Sequence, residues 1–233
     1  MNENEFISEL KLLNITISEY QLKQLNTYYN LLVEWNEKFN LTTIIDKESV
    51  YLKHFYDSLT LIKAIDLTKN IKICDVGTGA GFPGIVLKII FPNLNVILLD
   101  SSEKKETFLK EVIRELNLDN IEVINERAED YLRTNKEVFD LITCRAVSRL
   151  NIISEICLQG LKINGCFIPM KANIDEETKN IKFLKTLNSK LERVITFNLP
   201  KENSLRNLVI IRKYKSIDNK YPRNYSQIIK NPL

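Results

Sequence analysis

Leu22, Leu25, Tyr29, Leu32, Trp35 and Phe39 recur at steps of three and four, the spacing of one face of an α-helix. Ser18 and Gln21 ahead of them make a capping-box pattern, and Asn40 followed by β-branched Thr42-Thr43-Ile44-Ile45 ends the run. A second helix is predicted from about His54 to Ile65 on Phe55, Leu59 and Ile62. Residues 1–66 therefore read as a helical extension whose apolar face must pack on something. From Ile71 the pattern changes to alternating strands and helices. Strands are predicted at Leu94–Leu99, Ile121–Ile124, Phe139–Cys144 and Cys166–Met170, with helices at Glu103–Leu116, Asn151–Leu161 and Glu176–Leu187. Val194–Leu199 and Leu208–Arg212 are two further strands, and Tyr214–Leu233 reads as polar and irregular. This alternation implies a parallel sheet with right-handed crossovers, and the terminal pair adds an antiparallel edge.

The alternation begins at I-K-I-C-D-V-G-T-G-A-G-F-P-G, residues 71–84, which holds four of the six glycines in the chain. An apolar strand runs into a tight turn, and a helix follows with Pro83 suited to its first turn. Glycines so placed let backbone approach a ligand or a packed helix. Gly79-x-Gly81-x-x-Gly84 with Asp100 about twenty residues on satisfies the dinucleotide pattern. Asp75 ahead of Gly77-x-Gly79-x-Gly81 satisfies the S-adenosylmethionine pattern as well. A pyrophosphate on the helix N-terminus is ill served by a nearby carboxylate, whereas a sulfonium and an α-ammonium are helped by one. Asp75 therefore favours the methyl donor, with the dinucleotide-dependent oxidoreductase kept as an alternative.

Composition narrows the class. At 233 residues with 44% apolar content the chain suits one α/β domain with an appendage. The net charge of +3 conceals a gradient, since Lys201–Leu233 carries eight Lys/Arg against two Asp/Glu. A basic terminus of this kind can meet phosphates or remain solvated. Cys74, Cys144, Cys157 and Cys166 lie far apart in apolar runs, which suits a reducing cytoplasm. With His54 the only histidine, neither a zinc site nor a Ser-His-Asp triad is expected. No stretch suits a membrane span.

Candidate chemistry collects where strands end. Asp100 with Ser101 is placed to bind a ribose, and Ala128-Glu129-Asp130 follows the third strand, where adenine would sit. Arg145 emerges after the fourth strand and Lys171 after the fifth. Both are read as positioning groups for catalysis, an exposed lysine or a structural ion pair being the plain alternative. The D/N-P-P-aromatic tetrapeptide of exocyclic-amine methylation is absent, its place taken by Cys144-Arg145-Ala146-Val147. Carbon methylation of pyrimidines needs a positioned thiolate, and Cys144, the only cysteine near the site, is expected to point into the sheet. A ring nitrogen such as guanine N7 exposes a lone pair and needs no general base.

Together these residues resemble the bacterial small-subunit (16S) ribosomal RNA guanine-N7 methyltransferases, the glucose-inhibited division protein B family. The matching blocks are Trp35-Asn36, Asn40-Leu41-Thr42, His54 with Asp57-Ser58-Leu59, and Asp75 through Ile85. Asp100-Ser101, Arg127-Ala128-Glu129, Arg145-Ala146, Tyr221-Pro222-Arg223 and Lys230-Asn231-Pro232-Leu233 complete them. Thr78 and Cys144 stand where the family usually has serine. The resemblance implies a Rossmann-like class I S-adenosylmethionine-dependent methyltransferase sheet, with an N-terminal α-helical extension at 1–66. The methyltransferase domain would span 67–213, and a basic tail at 214–233 would pack on or near the site. Cofactor contacts carry over to Gly77, Phe82, Ala128, Glu129 and Arg145, to which Asp75, Gly79, Gly81, Asp100 and Ser101 are added from the turn and the ribose argument. His54, Arg206, Arg223 and Lys230 are assigned to substrate RNA, with a structural role for His54 open beside it. The expected partner is small-subunit ribosomal RNA or the assembling 30S subunit, met by a cytoplasmic monomer without metal. A small-molecule methyltransferase with the same cofactor is the alternative.

Overall fold

The computed structural model describes residues 1–233. Helices α1 (Glu3–Leu12) and α2 (Glu19–Phe39) open the chain, each on a capping box, Asn2 with Glu5 and Ser18 with Gln21. These side chains satisfy amides that a first helical turn leaves unpaired. Asn40 ends α2 in the left-handed region at φ 48°. The second predicted helix begins earlier than its apolar spacing suggests, at Lys47, because Asp46 accepts from the Ser49 amide at 2.9 Å and caps it. It runs as α3 (Lys47–Val50), a π-helical stretch (Tyr51–Tyr56), α4 (Asp57–Leu59) and a 3₁₀ turn (Thr60–Lys63).

The sheet domain follows as β1 (Lys72–Val76), α5 (Gly84–Ile90), β2 (Asn95–Asp100), α6 (Glu103–Glu115), β3 (Ile121–Asn125), α7 (Ala128–Thr134) and β4 (Phe139–Arg145). Next come α8 (Leu150–Cys157), β5 (Leu161–Lys171), α9 (Lys182–Thr186), β6 (Ser189–Asn198), β7 (Leu205–Lys213) and α10 (Tyr225–Lys230). The seven strands lie in the order β3-β2-β1-β4-β5-β7-β6. The first five are parallel, and β7 pairs antiparallel with both β5 and β6. Strand order reverses between β1 and β4, so a crevice opens beyond their carboxyl ends, where such sheets bind ligands. This is the Rossmann-like class I arrangement expected from the sequence.

Several elements differ from their expected extent, among them β6 and β7, which start at Ser189 and Leu205 and not at the predicted Val194 and Leu208. Strand β5 starts at Leu161, five residues before the predicted Cys166, with Lys162, Ile163 and Asn164 exposed and so invisible to an apolar pattern. The helix expected at Glu176–Leu187 contracts to α9 after a run of turns. The tail is ordered: Ile217, Tyr221 and Ile228 are buried against the α8 side of the sheet.

The opposite face carries the N-terminal helices. Phe6, Leu25, Tyr28, Leu32 and Phe55 share one core with Val86, Leu98 and Phe108 of the sheet domain. Polar groups fix the docking. Gln21 Nε2 donates to the carbonyls of Ile89 and Ile90 at 2.9 and 3.1 Å, and Gln24 Nε2 donates to Leu116 O at 2.7 Å. Side chains of α2 thus satisfy the unpaired carbonyls at the ends of α5 and α6. Trp35, the only tryptophan, packs beside Phe39 and against Phe108 of α6, with ring centroids 5.6 and 5.7 Å away. All four cysteines are free and buried, and no helix is long and apolar enough to cross a membrane.

Candidate functional site

The glycine turn is held from inside. Asp75 Oδ2 accepts from Thr78 Oγ1 at 2.6 Å and from the Gly84 amide at 2.8 Å, tying the two ends of the turn together. Its other oxygen, Oδ1, is buried without a partner. Burial pushes this carboxyl up to about 6, against the pull of the Thr78 and Gly84 hydrogen bonds. Asp75 is therefore turned into the protein and does not line the crevice, contrary to the expectation that it meets the cationic end of a cofactor. The turn leans on the end of β2 instead. Gly77 and Thr78 amides donate to Leu99 O at 2.8 and 3.2 Å, and the Gly79 amide donates to Asp100 Oδ2 at 3.0 Å. Gly77, Gly79 and Gly81 have φ of 66°, 62° and 99°, values that disfavour any residue with a Cβ.

Two cavities open beyond the strand ends. The first, of about 240 Å³, is lined by Gly77, Asp100, Ser101, Ala128 and Glu129, with apolar walls from Leu99, Ile153 and Ile156 and with Tyr225 from α10. Asp100 also meets Lys105 Nζ at 3.1 Å, and Glu129 meets Arg127 Nε at 3.0 Å. A carboxylate has about four lone-pair sites, so both retain acceptor capacity. Carboxylates for ribose hydroxyls beside apolar walls for a purine are a donor set and shape that fit the adenosine part of S-adenosylmethionine.

The second cavity, of about 450 Å³, is lined by Lys53, His54, Asp57, Arg145, Lys171 and Arg206 among others. Arg145 is the hub. Its Nη1 donates to Lys53 O at 2.7 Å and lies 3.5 Å from Asp57 Oδ2, while Nη2 donates to His54 Nδ1 at 2.9 Å. Nδ1 lies 3.2 Å from Lys53 O as well, but that carbonyl already accepts from Arg145 at 2.7 Å. Because a guanidinium only donates, the closer Arg145 contact takes the Nδ1 lone pair and leaves the imidazole proton on Nε2, which faces Thr42 Oγ1 at 3.1 Å. Burial first, and then the Arg145 charge, push His54 down to about 3, so the ring is neutral near pH 7. It stacks on Phe82 with centroids 4.4 Å apart, and the Arg145 guanidinium lies 5.3 Å from the same ring. Arg206 Nε approaches both oxygens of Asp57 at 3.1 Å. One carboxylate is thereby shared by two guanidiniums, which leaves a net positive charge.

Lys171 is fastened. Its Nζ donates to Ser148 O at 2.8 Å and pairs with Glu177 Oε2 at 2.7 Å, while the Leu150 amide donates to Glu177 Oε2 at 2.6 Å. These bonds brace the loop after β4, whose Val147 and Ser148 line both cavities. Gly77 must lack a side chain here, because a Cβ on it would lie 2.8 Å from Val147 Cγ2.

The expected residues divide accordingly. Gly77, Asp100, Ser101, Ala128 and Glu129 meet at the first cavity; His54, Arg145, Lys171 and Arg206 meet at the second. Asp75, Gly79, Gly81 and Phe82 support these walls without lining either cavity. Arg223, expected at RNA, is committed to Glu155 at 2.8 and 2.6 Å, and Lys230 lies exposed on α10 outside both cavities. Sequence reasoning missed Lys53, Glu177 and Tyr225. Only the His54-x-x-Asp57 spacing, which puts two polar groups on one helix face, signalled a second contribution from the N-terminal segment.

Known proteins are similar to this chain. A protein of Bacillus velezensis named ribosomal RNA small subunit methyltransferase G is 48% identical over 100% of this chain and 99% of its own. Its namesake in Bacillus subtilis is 45% identical over the same shares. Among solved structures, a SAM-dependent methyltransferase from Aquifex aeolicus superposes with a TM-score of 0.51 at 19% identity, covering 72% of this chain and 94% of its own. A model of the GidB family, described as rRNA small subunit methyltransferase G, matches residues 21–208. The chain that builds these two adjoining cavities belongs to the GidB family of rRNA small subunit methyltransferases.

Proposed function

We propose that this protein transfers a methyl group from S-adenosylmethionine to N7 of a guanine in small-subunit (16S) ribosomal RNA. The observation that carries the reading is the pair of cavities sharing Val147 and Ser148, one suited to adenosine and the other lined by Lys53, Arg145, Lys171 and Arg206. When bound, the cofactor supplies an electrophilic methyl carbon on a cationic sulfur. The N7 lone pair forms the new C–N bond, the C–S electron pair stays with sulfur, and no proton has to leave. The residues suit a reaction without a base, because the only imidazole is neutral with both nitrogens engaged. The work left to the protein is alignment. Arg145, held by Lys53 O, His54 and Asp57 and stacked near Phe82, is the fixed group of the second cavity. Lys171 acts through the loop after β4, whose position sets the gap between the two ligands. A cavity of about 450 Å³ is large enough for one extruded nucleotide, and its cations have the chemistry to meet phosphate and carbonyl oxygens.

The same reading has the chain acting as a cytoplasmic monomer on ribosomal RNA or the assembling 30S subunit. Incubation of purified protein and methyl-labelled donor with 16S RNA and with 30S particles, followed by mapping, is the direct test. Label on one guanine, at a position that becomes cleavable after reduction and aniline treatment, is the expected result. Label on an exocyclic amine, or none on either RNA form while small molecules accept it, would overturn the assignment. Sedimentation in the presence of RNA gives the stoichiometry.

A further inference from the structure

The last twenty residues, basic in composition, are fastened to the inside of the molecule through one of their charges, that of Arg223. Glu155 of α8 is wholly buried, and Arg223 meets it three times, through Nε at 2.8 Å, Nη2 at 2.6 Å and the backbone amide at 3.0 Å. Arg223 Nη2 also donates to Asn231 O at 3.0 Å, and Arg133 reaches Pro222 O at 3.3 and 3.2 Å. Ile228 is buried below. This anchoring has one visible product at the crevice: Tyr225, two residues beyond Arg223, lines the first cavity. The Arg127 guanidinium lies 4.7 Å from its ring centroid and is itself bonded to Glu129. Tyr225 is 41% exposed, so the ring is available rather than packed away.

We infer that Tyr225 is a cofactor-binding residue that stands against the adenine ring of S-adenosylmethionine, and that the C-terminal segment is thereby a wall of the cofactor site. The inference rests on reading the first cavity as the adenosine end. Position distinguishes adenine from the methionine arm. The methyl group has to be delivered toward the second cavity, past Gly77 and Val147. Tyr225 has no part in that second cavity and belongs with Ala128 and Glu129. An aromatic face is also what a planar purine matches best. Arg223 holds this wall in place, a different task from meeting RNA.

The test is calorimetry of the full chain with S-adenosylhomocysteine and with 5′-methylthioadenosine, which lacks the amino-acid arm. Tyr225→Ala and Tyr225→Leu should each raise Kd about tenfold for both ligands, with Tyr225→Phe within about twofold and melting temperatures unchanged. Unchanged affinity in the folded Ala or Leu variant would overturn the inference. Weaker binding of S-adenosylhomocysteine alone, with 5′-methylthioadenosine unaffected, would overturn it too, by placing Tyr225 at the methionine arm. If the unaltered protein binds neither ligand, the reading of the cavity fails first, a result distinct from equal binding by wild type and variants.

Discussion

His54 shows how one side chain is committed by its surroundings. Its Nδ1 lone pair receives Arg145, its ring lies on Phe82, and burial keeps it neutral with its pKa pushed down to about 3. Because the folded value lies below the ordinary 6.5, the unfolded chain takes up a proton first as pH falls. The stability owed to the neutral ring is present above about pH 6.5 and is lost progressively from there toward pH 3. As the only histidine, His54 gives one unambiguous set of imidazole NMR signals, whose Hε1 shift should show no titration between pH 8 and 5. A midpoint near 6.5 would contradict the buried, Arg145-bonded ring. His54→Asn, which can offer an amide oxygen in place of Nδ1, should keep most methyl transfer and lack the stability loss between pH 6.5 and 5 in denaturant titrations. Arg145→Lys cannot reach Lys53 O, His54 and Asp57 together. Single-turnover transfer should fall at least tenfold, a loss of about 1.4 kcal/mol of transition-state stabilisation, with a much smaller change in melting temperature. Equal loss of both would make Arg145 a structural residue.

At the scale of the element, the glycine turn is both the clearest feature of the sequence and the one read partly for the wrong reason. Its spacing, its place after β1 and the acid at the end of β2 were legible because each depends on neighbours within a few residues or on a strand period. The role of Asp75 was not, since which way a carboxylate turns depends on the Thr78 hydroxyl and the Gly84 amide folding back on it. The preference for the methyl donor therefore stands on family membership, since Asp75 is turned inward and Asp100 suits the ribose of either cofactor. His54 was equally opaque: Arg145 lies 91 residues away in sequence. Only the family resemblance suggested that the tail packs near the site, because Ile217, Tyr221 and Ile228 are too sparse among polar residues to show a period. Gly84 makes the closeness of packing testable. A Cβ there would lie 2.3 Å from Leu98 Cδ2 and 2.9 Å from Asp75 Oδ2. Gly84→Ala should cost about 1 to 3 kcal/mol in chemical denaturation and weaken S-adenosylhomocysteine binding through displacement of the turn.

For the whole molecule, the division at residue 66 is visible in sequence but not in packing. Tyr28 bonds to the Ala80 carbonyl within the glycine turn, Gln21 and Gln24 cap α5 and α6, and Phe6, Leu25 and Phe55 share a core with Leu98 and Phe108. His54 and Asp57 in the extension complete the second cavity, which makes these helices part of the crevice wall as well as its support. A fragment of residues 67–233 should therefore fail to unfold cooperatively and should expose apolar surface, as read by circular dichroism melts and dye binding. A cooperative melt with intact S-adenosylhomocysteine affinity would show that the sheet domain is autonomous.

The position of Trp35 on α2, against Phe108 of α6, has a practical consequence. A lone indole at the seam between extension and sheet is an intrinsic optical reporter, sensitive to separation of those two parts and outside the lining of both cavities. Comparing its emission with the far-ultraviolet signal during unfolding would reveal whether the extension lifts away before the sheet melts. No label need be introduced to follow the step.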